Sequence, residues 1–141
     1  MRIFLKHPGN KSLSINPNVE RMLNYENSIG ICNLDYYLRF QEKIEKVKID
    51  LLSYLIKAKK EGKKVAGYGA AAKGNTLLNF CGIKGTDFIK YVVDASPIKQ
   101  NKFLPGSRIP VVEPSVINID QPDIIIIFPW NLKDEVLSEL A

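Results

Sequence analysis

The run Gly67-Tyr68-Gly69-Ala70-Ala71-Ala72-Lys73-Gly74-Asn75-Thr76 holds the residue types and spacing that suit the binding of an anion. Gly67 and Gly69 let the backbone turn sharply and approach a ligand with no Cβ in the way, and Ala70 to Ala72 keep the turn that follows narrow. A helix opening near Ala72 would aim its free N–H groups, and about half a positive charge from its dipole, at the same point, with Lys73 alongside. Phosphate is the natural occupant. Gly67-x-Gly69-x-x-Ala72 also fits the relaxed dinucleotide fingerprint, in which alanine replaces the third glycine. A tight strand-to-helix turn satisfies the same pattern, so the surrounding elements must decide.

Other distinctive residues carry two readings each. Asp94 stands 25 positions after Gly69, near the roughly 20 expected of an acid that takes ribose hydroxyls. It equally suits a cap for the turn Asp94-x-Ser96-Pro97. Lys73 is either solvent-facing or a ligand contact, and its place in an N-terminal helical turn, where a cation is disfavoured, argues for the ligand. Trp130 either packs under the last helix or stacks on a ligand. Asn131 suits the N-cap of that helix, with Asp134 three residues on. His7 has no carboxylate partner at readable spacing and reads as structural. Cys32 and Cys81 lie 49 positions apart with no CxxC, which suggests neither a disulfide framework nor a zinc site but two buried or half-buried thiols. No nucleophile elbow, HExxH or Walker lysine motif is present, so the residue chemistry is that of a binding module.

The elements that must position these residues alternate from Lys64 onward. Strands are expected at Val65–Tyr68, Phe88–Val93, Ile109–Val112 and Ile124–Phe128, with helices at Ala72–Phe80 and Leu132–Leu140. The continuous β-branched runs Tyr91-Val92-Val93 and Ile124 to Phe128 suit parallel strands covered on both faces. This is an α/β layout, a Rossmann-like open parallel sheet of about four strands with flanking helices. The glycine turn, Asp94 to Gln100 (with Lys99 among them) and Pro129-Trp130-Asn131 all follow strands, at the edge where such sheets bind ligands. The loop Phe103 to Arg108 can fold over the same edge.

Before the sheet, Phe40, Ile44, Val47, Leu51, Leu55 and Ala58 mark one face of a long amphipathic helix over Asp35–Glu61, stopped by Gly62. Such a helix would be about 40 Å long, more than a small sheet covers. Part of it is expected to pack outside this chain. Earlier still, Val19–Ser28 reads as a short helix ended near Gly30, and Arg2–Lys6 as a strand with no evident partner. The expected organisation is an extension over 1–33, a connecting helix over 34–62 and an α/β domain over 63–141.

The chain has 141 residues, 45% of them hydrophobic and 25% charged, the balance of one globular domain. Its longest apolar run falls far short of a membrane span and no signal-peptide pattern opens it, so a cytoplasmic protein with no membrane partner is expected. A net charge of +5 raises nucleic-acid binding. The lysines, however, ring the long helix (Lys43, Lys46, Lys48, Lys57, Lys59, Lys60, Lys63, Lys64) and read as a solvated face, with no nucleic-acid motif beside them.

Four ordered motifs now point to a family. They are Gly67 to Asn79, Val93-Asp94-Ala95-Ser96-Pro97-Ile98-Lys99-Gln100, Leu104-Pro105-Gly106-Ser107-Arg108-Ile109-Pro110-Val111, and Pro129-Trp130-Asn131-Leu132-Lys133-Asp134-Glu135. Together they resemble the C-terminal domain of the sugar C-methyltransferases, over nearly the whole chain from about Asn33. The resemblance implies a longer enzyme that is S-adenosylmethionine-dependent. Its cysteine-rich zinc domain and methyl-donor domain precede this one, and it methylates a carbon of a nucleotide-linked 4-keto-deoxysugar by way of an enolate. It implies that Arg2 to His7 correspond to the end of the catalytic domain's last strand. It further implies that this segment binds the sugar nucleotide, holds neither cofactor, and is inactive alone. Gly69, Ala70, Lys73 and Asn75 are assigned to phosphate, with Gly67 in the turn and Asp94, Lys99 and Trp130 at the same edge. The competing class is a free-standing NAD- or nucleotide-binding regulatory module, carried by the glycine turn and Asp94.

Overall fold

A computed structural model describes residues 3–140. The chain divides into two compact units, with the boundary between Ile44 and Glu45.

In the first unit, residues 3–15 are almost wholly exposed and form no strand. The strand expected at Arg2–Lys6 is therefore absent over its described part, Arg2 lying outside the described residues. Among the described residues no strand offers it a ladder, and a lone extended segment leaves its backbone groups to water. Helix α1 spans Pro17–Ser28. Asn16 caps it by accepting from the Asn18 N–H at 2.9 Å, and Pro17 sits where a missing N–H costs nothing. Helix α2 is Leu34–Leu38 and helix α3 is Phe40–Lys60. The single helix expected from Asp35 is thus broken at Arg39, which closes α2 with its N–H turned back to the Tyr37 carbonyl. Neither α1 nor α2 has a buried residue.

The second unit is an α/β sheet domain. At about 1.5 Å per residue, the 21 residues of α3 reach roughly 32 Å. The helix ends at Gly62, whose positive φ of 69° lets the Gly62 and Lys63 N–H groups turn back onto the Lys59 and Ala58 carbonyls in a Schellman closure. Strand β1 (Val65–Tyr68) leads to helix α4 (Ala72–Phe80), then strands β2 (Val92–Val93), β3 (Lys102–Phe103) and β4 (Pro110–Val112). Helix α5 (Val116–Asp120), strand β5 (Ile124–Ile127), a 3-10 turn at Trp130–Leu132 and helix α6 (Lys133–Leu140) complete it.

The sheet order is β3-β4-β2-β1-β5. It has five strands where about four were expected, because the Lys102–Phe103 segment adds an antiparallel edge beside β4. The other pairings are parallel. The expected second strand shrinks to Val92–Val93, although Lys90 still donates to the Val65 carbonyl at 2.9 Å. Ile124–Ile127 is only half-buried. It pairs on one side alone, at the sheet edge, yet both faces are covered as expected, Ile124 and Ile126 packing against one core and Ile125 and Ile127 against the other.

Alternation along β1 divides the core between the two faces. Val65 joins Leu55 and Ala58 of α3, Leu78 of α4, and Val92, Val111 and Phe128. Ala66 and Tyr68 join Val93, Ile117 of α5 and Val136 of α6. At the amino ends of the strands, Lys64 and Lys90 pair with Asp120 at 3.3 and 2.7 Å. At the carboxyl ends lie the sequence motifs.

Candidate functional site

The turn after β1 is shaped by what presses on it. Gly69 has φ of 87°, and a Cβ there would stand 2.6 Å from Pro129 Cδ. Both the left-handed geometry and the close approach require glycine. Gly67 is buried, and a Cβ on it would lie 2.6 Å from Phe128 Cε2. On the other side, a Cβ at Gly74 would lie 2.5 Å from Phe128 Cγ. The Phe128 ring is thus gripped between β1 and the first turn of α4. Glycines read as room for a ligand supply room for a phenylalanine and a proline.

This grip sets α4 over the sheet edge with its N-terminus open. Ala71, at the N-cap, has no side-chain acceptor to offer, so the helix's first N–H groups lack an intrahelical partner. The Ala70 N–H, just before the helix, is engaged by Asp94 Oδ2 at 2.8 Å.

Asp94 is buried, at 8% exposure. Its Oδ1 accepts from the Ser96 N–H at 2.9 Å and its Oδ2 from Lys99 Nζ at 3.1 Å, while its carbonyl accepts from Gln100 Nε2 at 2.9 Å. Burial would raise the carboxyl pKa, but the Ser96 N–H, Lys99 and the Ala70 N–H outweigh it and hold the group below its ordinary value. Of the two readings open for this residue, the turn-capping one describes the contacts. The same carboxylate also ties the β2 loop to the glycine turn.

Lys73 and Trp130 come together. The ammonium lies 5.5 Å from the Trp130 ring centroid and donates to Asn131 Oδ1 at 3.4 Å. Trp130 is 72% exposed, which overturns its reading as packing under the last helix. Asn131 is likewise no N-cap. It lies inside the 3-10 turn, two residues before α6, and its side chain faces Lys73.

Asn75 is half-buried. Its carbonyl accepts from Asn79 Nδ2 at 2.8 Å, and the same Nδ2 reaches the Pro105 carbonyl at 3.0 Å. Buried Ser107 stands 3.5 Å from Asn75 Oδ1. Asn79, with Asn75 beside it, therefore anchors the Pro105–Ser107 loop to α4, as expected of a loop folding over this edge.

Sequence reasoning missed one feature. A groove of about 290 Å³ adjoins the glycine turn, lined by Ala70, Ile98, Lys99, Lys102, Phe103 and Leu104 among others. The signal was the pair of large apolar residues, Ile98 and Phe103, in otherwise polar loops. Their exposures are 77% and 67%.

Among the described residues, no group of three or more His, Cys, Asp or Glu side chains is placed to hold a metal ion. Cys32 is exposed rather than buried, and Cys81 is buried. No helix among the described residues is long and apolar enough to cross a membrane.

The fold and edge define a mostly parallel α/β domain with an uncapped helix N-terminus, two lysines and an exposed indole at the carboxyl ends of its strands. Residues 1–141 match the family described as the C-methyltransferase C-terminal domain. The chain is also 36% identical over 124 residues to the C-methyltransferase NovU of Streptomyces niveus, a match covering 88% of this chain and 29% of that protein. The chain belongs to the C-methyltransferase C-terminal domain family. It spans under a third of the length of the relative it matches.

Proposed function

We propose that this domain holds the substrate of a longer, S-adenosylmethionine-dependent C-methyltransferase, and that the substrate is a nucleotide-linked 4-keto-deoxysugar. The single observation that carries the reading is the open N-terminus of α4 at the strand-end edge, with Lys73 lying across Trp130. Unpaired helical N–H groups and a lysine favour a diphosphate. An exposed indole suits stacking by a flat or sugar ring. In this reading Gly69, Ala70, Lys73 and Asn75 line the diphosphate cradle, Gly69 and Ala70 by shaping the turn, their own N–H groups being taken by Val93 and Asp94, Lys73 by charge and Asn75 beside the first turn of α4, while Lys99 and Trp130 flank it.

The methyl donor, the zinc and the groups that remove the proton belong, in this reading, to segments that precede this one. The sheet domain, 63–141, holds the ligand, 34–62 connects it, 1–33 continues the preceding catalytic domain, and the 141 residues alone are inactive. A cytoplasmic enzyme fits this chemistry. The engagement of Asp94 by the Ala70 N–H and Lys99 weighs against a dinucleotide module, because that carboxylate is not free for ribose hydroxyls.

Titrating thymidine diphosphate into isotope-labelled protein tests the reading. Amides from Gly69 to Asn75 should shift, and Lys73→Ala should weaken binding about tenfold, the loss of one charge-assisted contact. Absence of shifts at millimolar ligand, or tighter binding of NAD, would sink it.

A further inference from the structure

We propose that the groove beside Ala70 is the nucleoside pocket of this domain, with Ile98 and Phe103 as its apolar walls and Lys99 and Lys102 as its phosphate-facing rim. The inference rests on the sugar-nucleotide reading and adds to it a place for the base.

Three observations carry it. First, the walls are large apolar side chains left in water on polar loops, at 77% exposure for Ile98 and 67% for Phe103, and the rest of the lining, Ala70, Leu104, Pro105 and Val111, is apolar too. Flat aromatic ligands gain from such surfaces by stacking and burial. Second, the rim is cationic beyond its own needs. Lys99 is matched by Asp94 at 3.1 Å, whereas Lys102 makes no ion pair with any described residue, so the groove presents net positive charge. Third, the size is selective. At about 290 Å³ it lies at the small end of ligand pockets, which run from roughly 300 to 1,000 Å³. A base and its ribose fit; a whole sugar nucleotide does not. Ala70 is shared by the groove and the turn before α4. A ligand seated in the groove therefore passes its diphosphate over Ala70 toward the open helix N-terminus and Lys73, and carries its sugar out of this domain toward the catalytic groups.

The walls are mounted to stay in place. Phe103 pairs with Pro110 in the β3–β4 ladder, and the Leu104 N–H donates to the Ile109 carbonyl at 2.9 Å. Ile98 lies in the loop that Asp94 ties down through Ser96 and Lys99.

The test titrates the labelled 141-residue chain with thymidine diphosphate, thymidine and inorganic pyrophosphate. Thymidine diphosphate should shift amides in two groups, Ile98 to Leu104 and Gly69 to Asn75, and pyrophosphate only the second. Phe103→Ala should weaken thymidine diphosphate about tenfold, the value of one stacked base, and leave pyrophosphate unchanged. Ile98→Ser, at a site still more exposed, is the second probe and should act in the same direction. Thymidine diphosphate that shifts Gly69 to Asn75 but not Ile98 to Leu104, or that binds both variants like the parent, overturns the groove and leaves the sugar-nucleotide reading standing. Absence of any shift with thymidine diphosphate overturns both.

Discussion

Replacing Gly74 by alanine tests the contact that aims α4 at the site. In an ordinary helix interior the change is favourable by about 1 kcal/mol, because alanine loses less backbone freedom than glycine. Here the new methyl would stand 2.5, 2.6 and 2.8 Å from Phe128 Cγ, Cβ and Cδ1. Two of these atoms lie next to the Phe128 backbone, so rotating the ring does not clear them, and Gly67 closes the far side, where Phe128 Cε2 is already 2.6 Å from a notional Cβ. Overpacking of this kind costs up to about 3 kcal/mol, which leaves Gly74→Ala destabilised by about 2 kcal/mol net. For a cooperative unit of about a hundred residues that is a fall in melting temperature of about 8–16 °C. Thr76→Ala, on the exposed side of the same helix, is the control and should stay within about 0.5 kcal/mol of the parent. Calorimetric melts of the three proteins decide the matter. A Gly74→Ala protein that melts at or above the parent temperature would refute the clamp, since helix propensity alone would then have won. Where the variant still folds, α4 must lift from the sheet, and thymidine diphosphate affinity should fall with it.

Two further predictions concern titratable groups. The Asp94 carboxyl is held below its ordinary pKa of 3.8, so it stabilises the fold above that pH and the contribution is lost as pH falls through the native value. Asp94→Asn sets an NH₂ or a single oxygen against three donors, and should cost about 1–3 kcal/mol at neutral pH. The acid limb of its stability curve should be shallower than the parent's below about pH 4; parallel curves would remove Asp94 from the account. Tyr68 behaves oppositely. Its hydroxyl donates to Glu139, and that bond, then burial and the Glu139 charge, push the phenol up to about 12. The neutral phenol is favoured in the fold, so its stabilisation is present below the ordinary value of 10.0 and is lost as pH rises through about 12. Burial and Asp120 push the Tyr91 phenol up as well, so phenolate absorbance should show late-titrating tyrosines of which Tyr68→Phe removes one, at a cost of about 1 kcal/mol for the lost bond; a late titration that Tyr68→Phe leaves unchanged would contradict the assignment.

Local pattern carried the elements, and competition among partners decided the site. Val65–Tyr68 and Ala72–Phe80 form where glycine, alanine and β-branched residues predict them, because strand and helix preferences there agree with the tertiary packing. Lys102–Phe103 was not legible, since a two-residue strand has no periodicity and exists only through its pairing with Pro110 and Val111. The break at Arg39 was hidden for a related reason: the apolar spacing runs on from Phe40 to Ala58 and says nothing of the turn before it. At the site, the motif Gly67-x-Gly69-x-x-Ala72 correctly announced a tight strand-to-helix turn, but spacing cannot tell which atoms come to fill the space glycine leaves. Phe128 and Pro129, some sixty residues away in sequence, take that space, and Asp94 takes the amide of Ala70. The turn is thereby made rigid without a ligand. What it leaves for one are the groups these residues did not reach: the first N–H groups of α4, Lys73 across Trp130, and the groove beyond Ala70. A carboxylate already seated at the turn also sets a direction. Its charge is matched by Lys99, so in the proposed reading the unmatched positive groups left for a diphosphate are Lys73 and the first N–H groups of α4.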